Sequence, residues 1–369
     1  MTALDDYLAS FAGEQGYLNW AALGPLSPVV RAATQDALDA LGGYDAHAHA
    51  LVFARAADAR ETAARLLGIP TEEVVLRPTS TDALQHALFG IRGGAVIASS
   101  AEFPSISLTL QRASEASAGA VSPRWISPAD GRVTTDAVAA ALDDDVTALA
   151  VSHVDYRTGY RADIPALREL IGPDRLLIVD AVQSFGVVEE DWSAADVIAC
   201  HGYKWLRAGR GTGFAAFSTR ARELLRPVLS GTTGTVAEGM FVGEIPPVSP
   251  QAKAFTTSVP DHLAAVRLAS ALDELSEVGV PAIARGVAEN AGRMLELAER
   301  HGIPSPTPRE ASRRAGIVSL TPGDPEAVGA ALADAGIAAT VRAGAVRVSA
   351  HAGTSAETLG MLDAALSRS

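Results

Sequence analysis

The sequence predicts an α/β protein whose main body is a mostly parallel sheet with helices on both faces, followed by a smaller α+β unit. Three observations predict it. Short apolar runs alternate with stretches of helical periodicity, the order expected of strand–helix–strand crossovers. Several of those runs, such as "LLIVD" at 176–180, are apolar throughout, as strands covered on both faces require. The texture then changes near 230–260, where Gly, Thr, Ser and Pro accumulate before a different pattern begins.

The strands of the main body are expected at 74–77, 95–99, 147–152, 176–180, 196–200 and 213–218. Helical spacing of apolar residues appears at 27–41, 52–67, 81–90, 105–118, 134–142 and 164–171. "SGTTGTVAEG" and "EIPPVSP" read as loop, and one long helix is expected over about 261–300. The tail reads as strand 316–320, helix 325–335, strands 337–342 and 345–349, and helix 355–366. Two domains account for this order: a large one over 15–250, and a small one over 251–369 joined by residues 1–14.

The bulk numbers narrow the function. The chain has 369 residues, 48% hydrophobic and 20% charged, enough to bury a sizeable core. A net charge of −13, with no block of Lys and Arg, argues against nucleic acid or an anionic membrane as partner. A single cysteine, Cys200, precludes an intrachain disulfide, and no Cys/His cluster has zinc spacing. The acidic start "MTALDDYLAS" is unlike a signal peptide, and no apolar run has membrane-spanning length. A cytoplasmic protein is expected.

Five features fall near strand ends, where open α/β sheets bind their ligands. In "RPTSTDALQHAL", Ser80 and Thr81 stand at the start of a helix, which suits either a phosphate or an ordinary cap. In "SSAEFPSI", Phe103 serves either to stack on a flat ring or to fill the core. "VSHVDYRTGYRADI" places Asp155 in a polar patch that is either solvated or part of a site. Asp180 ends the apolar run "LLIVD", where a carboxylate needs a cation or several donors, and Gln183 lies three residues on. Finally, "CHGYKWLRAGRGTG" sets Lys204 between Tyr203 and Trp205 after a strand, although lysine is costly to bury.

Together these point to pyridoxal 5′-phosphate. That cofactor needs a lysine for its imine link, an acid against its ring nitrogen and a phosphate cradle. Asp180, followed 24 residues later by Lys204 on the next strand, supplies the first two.

At these residues the chain resembles the fold-type I pyridoxal phosphate enzymes of the aminotransferase class V superfamily. That group includes cysteine desulfurases, selenocysteine lyases, kynureninases and isopenicillin N epimerase-like proteins. The motifs that carry the resemblance are "HVDYRTG", "VDAVQS" and "CHGYKWLRAGRGTG". The resemblance implies a large domain with a mostly parallel, seven-stranded-type sheet and a homodimer. It assigns Lys204 as the Schiff-base lysine, Asp180 as the ring-nitrogen partner and Gln183 as the neighbour of the ring hydroxyl. Ser80, Thr81 and Tyr203 match phosphate ligands, His201 sits where a serine or cysteine is common, and Phe103 matches the ring-stacking position. Arg347, in "VRVSAH", matches the arginine that grips the substrate carboxylate.

The chain also departs from the pattern. No cysteine follows Cys200, so the later part of the chain has none to carry a persulfide, and the later loops lack the tryptophan and asparagine of kynureninases. Val259 stands where a threonine commonly reaches the other subunit's phosphate. The expected function is therefore action at Cα and Cβ of a small amino acid, as a C–S or C–Se lyase without a persulfide cysteine. A class V aminotransferase or epimerase is the alternative, and a non-catalytic regulator that keeps the fold is a third reading.

Overall fold

A computed structural model describes residues 2–128, 130–237 and 243–368. The chain opens with helices α1 (Ala3–Ala9), α2 (Pro28–Gly42) and α3 (Ala46–Leu67). The main body follows as β1 (Val74–Leu76), α4 (Ser80–Gly90), β2 (Gly94–Ser99), α5 (Pro104–Ala116) and β3 (Val121–Ile126). It continues through α6 (Thr135–Ala139), β4 (Val146–Ser152), α7 (Ile164–Ile171), β5 (Leu176–Asp180), β6 (Val197–His201), β7 (Gly213–Phe217) and α8 (Thr219–Leu224). Helices α9 (His262–Val278) and α10 (Val280–Arg300) lead to β8 (Ile317–Leu320), α11 (Pro325–Asp334), β9 (Thr340–Arg342), β10 (Ala345–Ser349) and α12 (Ala356–Leu366).

Seven strands form the large sheet in the order β1-β7-β6-β5-β4-β2-β3. Strand β7 runs antiparallel to both of its neighbours, β6 and β1, and the remaining pairs are parallel. The reason is local. A parallel return needs a long crossover, whereas β6 and β7 are joined by a short turn that contains Lys204. Alternate residues of each central strand enter different cores: Ile97, Leu149 and Val179 on one face, Val96, Ala148 and Ile178 on the other. That division explains why the strands read as continuous apolar runs. Leu268, Leu272 and Leu275 of α9 belong to the first core. A third core lies under the antiparallel sheet β8-β10-β9, against α10, α11 and α12.

The expected fold class stands, with local differences. Strand β3 was not expected: it is an edge strand whose Pro123, Arg124 and Trp125 break the apolar signature. The single helix expected over 261–300 is two helices. Gly279, in the left-handed region at φ +85°, ends the first, and Pro281 occupies the first turn of the second. Residues 337–339 precede β9 instead of belonging to it, and α3 begins six residues earlier than its apolar spacing indicated. Within the loop expected over 230–260, residues 238–242 lie outside the described residues.

Residues 17–19 run beside the small sheet, where Tyr17 bridges to Ala338 and Asn19 to Ser349. Among the described residues, no helix is long and apolar enough to cross a membrane.

Candidate active site

Strands β4, β5 and β6 are neighbours and parallel, with Ser152 paired to Asp180 and Asp180 to Ala199. Their carboxyl ends therefore deliver Ser152, Asp180 and His201 to one edge of the sheet. Beyond His201 the chain turns back at once, and Lys204 lies in that turn. Arg207 completes the turn with φ +57°, a conformation uncommon for a side chain of this size. Its buried guanidinium accounts for that: it lies 4.0 Å from the Phe11 ring centroid and donates to Ser10 Oγ at 2.7 Å. The amide of Gly24 donates to the Tyr203 carbonyl at 2.8 Å, and a side chain at Gly24 would strike the Lys204 carbonyl. Residues 10–24 thus clamp the lysine turn from outside.

The pocket brings together Ser80, Phe103, Ser152, Tyr156, Asp180, Gln183, His201 and Lys204. Lys204 is only 6% exposed. Burial pulls its ammonium down to about 8, against the opposing pull of Asp180. Burial pushes the Asp180 carboxyl up to about 6, with the Val182 amide at 3.0 Å and Lys204 acting in the other direction. The Lys204 amine sits 5.7 Å from the ring centroids of both Phe103 and Tyr203.

Gln183 is held at both ends of its amide. Its Nε2 donates to the Ala21 carbonyl at 3.0 Å, and its Oε1 accepts from the Trp205 indole at 2.8 Å. Phe103 meets Tyr156 edge-on at 5.1 Å. His201 is stacked on Tyr203 at 3.9 Å, and its Nδ1 lies 3.2 Å from Ser80 Oγ. Its Nε2 is buried without a partner, and burial holds the ring's pKa well below the usual histidine range.

Three expected residues lie elsewhere. Thr81 bonds Ser105 at 2.7 Å beside the pocket. Asp155 turns its carboxylate to Arg157 and to the amides of Arg157 and Thr158, lining a separate small cavity with Glu102. Arg347 donates to the Tyr156 carbonyl at 2.8 Å and lines a cavity of about 300 Å³ that shares Tyr156 with the lysine pocket.

Sequence reasoning passed over Glu102, although it follows an apolar strand just as Asp180 ends one. Its carboxylate accepts from the Ser152 amide at 3.0 Å and from the Ser152 hydroxyl. Burial, reinforced by the nearby Asp180 and Asp155, pushes its pKa up to about 7, with the two Ser152 bonds resisting. Trp205 and Ala21, which aim Gln183, left no signal, because their role depends on a contact between distant segments.

Comparison with known proteins places the chain in a family. The chain is 32% identical over 284 residues to a probable cysteine desulfurase of Aeropyrum pernix, covering 72% of this chain and 67% of that one. It is 29% identical over 208 residues to a kynureninase of Deinococcus radiodurans, covering 54% of this chain and 50% of the relative. Among solved structures, the apo cysteine desulfurase of Thermococcus onnurineus superimposes with a TM-score of 0.85 at 22% identity, over 99% of this chain and 97% of that one. The cystine C–S lyase C-DES in complex with cysteine persulfide gives 0.86 at 18% identity, over 96% and 98%. These two likenesses establish a shared fold. The model of the aminotransferase class-V family matches residues 17–358, and the chain belongs to that family.

Proposed function

We propose that the chain is a pyridoxal 5′-phosphate enzyme acting at Cα and Cβ of a small amino acid, with cleavage of a C–S or C–Se bond as its reaction. The observation that carries this reading is the buried pair Lys204 and Asp180, delivered by adjacent strands to one pocket. A lysine held near 8 is an available amine, and an acid beside it has no structural task that a neutral residue would not perform as well.

The residues fit that cofactor. In the tautomer in which Nδ1 of His201 accepts the Ser80 hydroxyl, Nε2 would carry a proton that has no acceptor among the described residues. An N–H donor of this kind, beside the first turn of α4, suits an anionic oxygen. Lys204 would hold the cofactor, Asp180 would keep a proton on its ring nitrogen, and Phe103 would cover its face. Ser80, Thr81, His201 and Tyr203 would hold its phosphate and Gln183 its ring hydroxyl, while Asp155, engaged by Arg157 and its own turn, would stand apart from it. Bound there, pyridoxal phosphate supplies an electron sink for bonds at the substrate Cα.

The chain's own groups do the rest. Arg347 orients the α-carboxylate, leaving the Cα proton within the reach of Lys204. That amine takes the proton and returns it, a role its lowered pKa suits. Cys200 is buried, and burial pushes its thiol far up, so it cannot serve as a persulfide carrier. The similarity to a probable cysteine desulfurase thus supports sulfur chemistry, while the thiol supply points to direct release of the leaving group. A homodimer belongs to the same reading: Leu38, Leu51 and Phe53 of α2 and α3 and Val259 are large exposed apolar side chains.

The test is a visible spectrum of the cofactor-loaded protein with and without cysteine, cystine, cysteine sulfoxides, selenocysteine, kynurenine and alanine, with pyruvate, sulfide and keto acids assayed alongside. A shift of the visible band with release of pyruvate is the expected result. A shift with keto acid and no pyruvate makes the protein an aminotransferase. No band with added cofactor overturns the reading of Lys204.

A further inference from the structure

The cavity that holds Arg347 contains two more arginines and no acid. Its lining includes Tyr156, Arg157, Arg342 and Arg347, with hydroxyls from Ser319 and Thr340. In a chain with 43 acidic residues against 30 basic ones, an all-cationic cavity of about 300 Å³ calls for an anion.

The β9–β10 hairpin explains how the charges come together. Ala345 is paired with Arg342, and Arg347 with Thr340. Residues two apart on a strand share a face, so Arg342 and Arg347 are diagonal neighbours on the same side, about 7 Å apart at Cβ. The register is held by a two-residue turn in which Ala343 (φ +51°) and Gly344 (φ +77°) are both left-handed. Placing two like charges on one face in this way is unfavourable unless something neutralises them.

Among the described residues no acid does so for Arg342 or Arg347, whereas the Arg157 guanidinium is paired with Asp155 at 2.7 Å. Arg347 spends one nitrogen on the Tyr156 carbonyl, and its Nε is buried without a partner. Arg342 makes no hydrogen bond or ion pair among the described residues; its guanidinium lies 6.0 Å from the Tyr156 ring centroid. Tyr156 also lines the lysine pocket, so the two spaces share a wall.

We propose that this cavity selects a doubly anionic amino acid, with Arg347 on the α-carboxylate and Arg342 on a second anionic group of the side chain, such as a carboxylate or sulfinate. This rests on the function proposed above and narrows its substrate class. The Ser319 hydroxyl adds a neutral donor on the same face, whereas that of Thr340 already donates to Asn19 Oδ1 at 2.8 Å.

The test separates the two readings. Binding of succinate and propionate to the cofactor-loaded enzyme is measured by titration calorimetry, for the wild type, Arg342→Ala and Arg342→Lys. The same proteins are titrated with aspartate, cysteine sulfinate and alanine while the visible band is followed. The expected result is a preference for succinate over propionate of at least about tenfold, falling towards one in R342A and partly kept in R342K. Aspartate or cysteine sulfinate then shifts the band at lower concentration than alanine in the wild type. Equal binding of succinate and propionate by the wild type overturns the inference, as does a preference that survives in R342A. A preference lost in R342A with no band shift for any amino acid leaves the anion site standing and removes the enzymatic reading instead.

Discussion

The lysine pocket and the arginine cavity share Tyr156, yet they are built on opposite terms. In the pocket, side chains are fixed by the protein itself: Gln183 at both ends of its amide and Asp180 by the Val182 amide. In the cavity, Arg342 is unpaired and Arg347 keeps a buried nitrogen without a partner. The pocket sits on strand ends of a large sheet and the cavity on a hairpin beside a tight turn. The difference teaches a division of labour. On the proposed function, the groups that would hold one cofactor in one pose are pre-oriented, while those that would meet the substrate keep free bonding capacity for it.

Three experiments break or sharpen that contrast. The largest effect belongs to Lys204→Ala. Turnover is expected to fall at least about a thousandfold, with the visible band absent, because both the cofactor link and the proton carrier are removed. Retained turnover would place the chemistry elsewhere.

The next concerns the charge balance of the pocket. The amine reacts only when neutral, so the rate at which cofactor-free protein takes up pyridoxal phosphate should rise with pH through about 8. Asp180 stabilises the ammonium, so Asp180→Asn should move that midpoint lower. The same variant should slow turnover by about a hundredfold. A midpoint near the ordinary lysine value, or one that rises in the variant, would show that burial does not govern this amine.

The smallest effect is on stability. The pKa of Glu102 is raised to about 7 in the fold, so the folded state holds a proton that the unfolded chain releases near its ordinary 4.5. Stability at this group is therefore full below that range and declines as pH rises through 7. Glu102→Gln should flatten the fall in Tm between about pH 5 and pH 8. At acid pH, where the wild-type carboxyl is protonated, the amide offers the same one acceptor and one donor to Ser152, so Tm should change little there. An unchanged pH slope would remove Glu102 from that titration.

Much of this was legible in the sequence wherever the signal was local. Continuous apolar runs marked the strands covered on both faces, and a polar residue closing such a run marked Asp180 and Lys204. Strand β3 escaped because an edge strand carries Pro and Arg without penalty. Asp155 is charged and follows a strand, like Asp180, but its own turn and Arg157 absorb its oxygens, which no spacing reveals. The break at Gly279 was visible as Gly-Val-Pro, yet the apolar spacing on either side masked it. Arg342 needed the hairpin register before its nearness to Arg347 meant anything.

The clamp around the lysine turn has a consequence for how the molecule is made. Gly16 donates to Thr358, Ala21 to Ser349 and Gly24 to Tyr203, so one early stretch is stitched to positions near the middle and the far end of the chain. During synthesis Tyr203 becomes available to that stretch midway, but Ser349 and Thr358 follow it by more than three hundred residues. The large sheet can form meanwhile, with Lys204 in an uncovered turn. Full closure around the lysine turn is thus tied to β10 and α12, and is expected to be slow in the way that contacts between distant segments are slow.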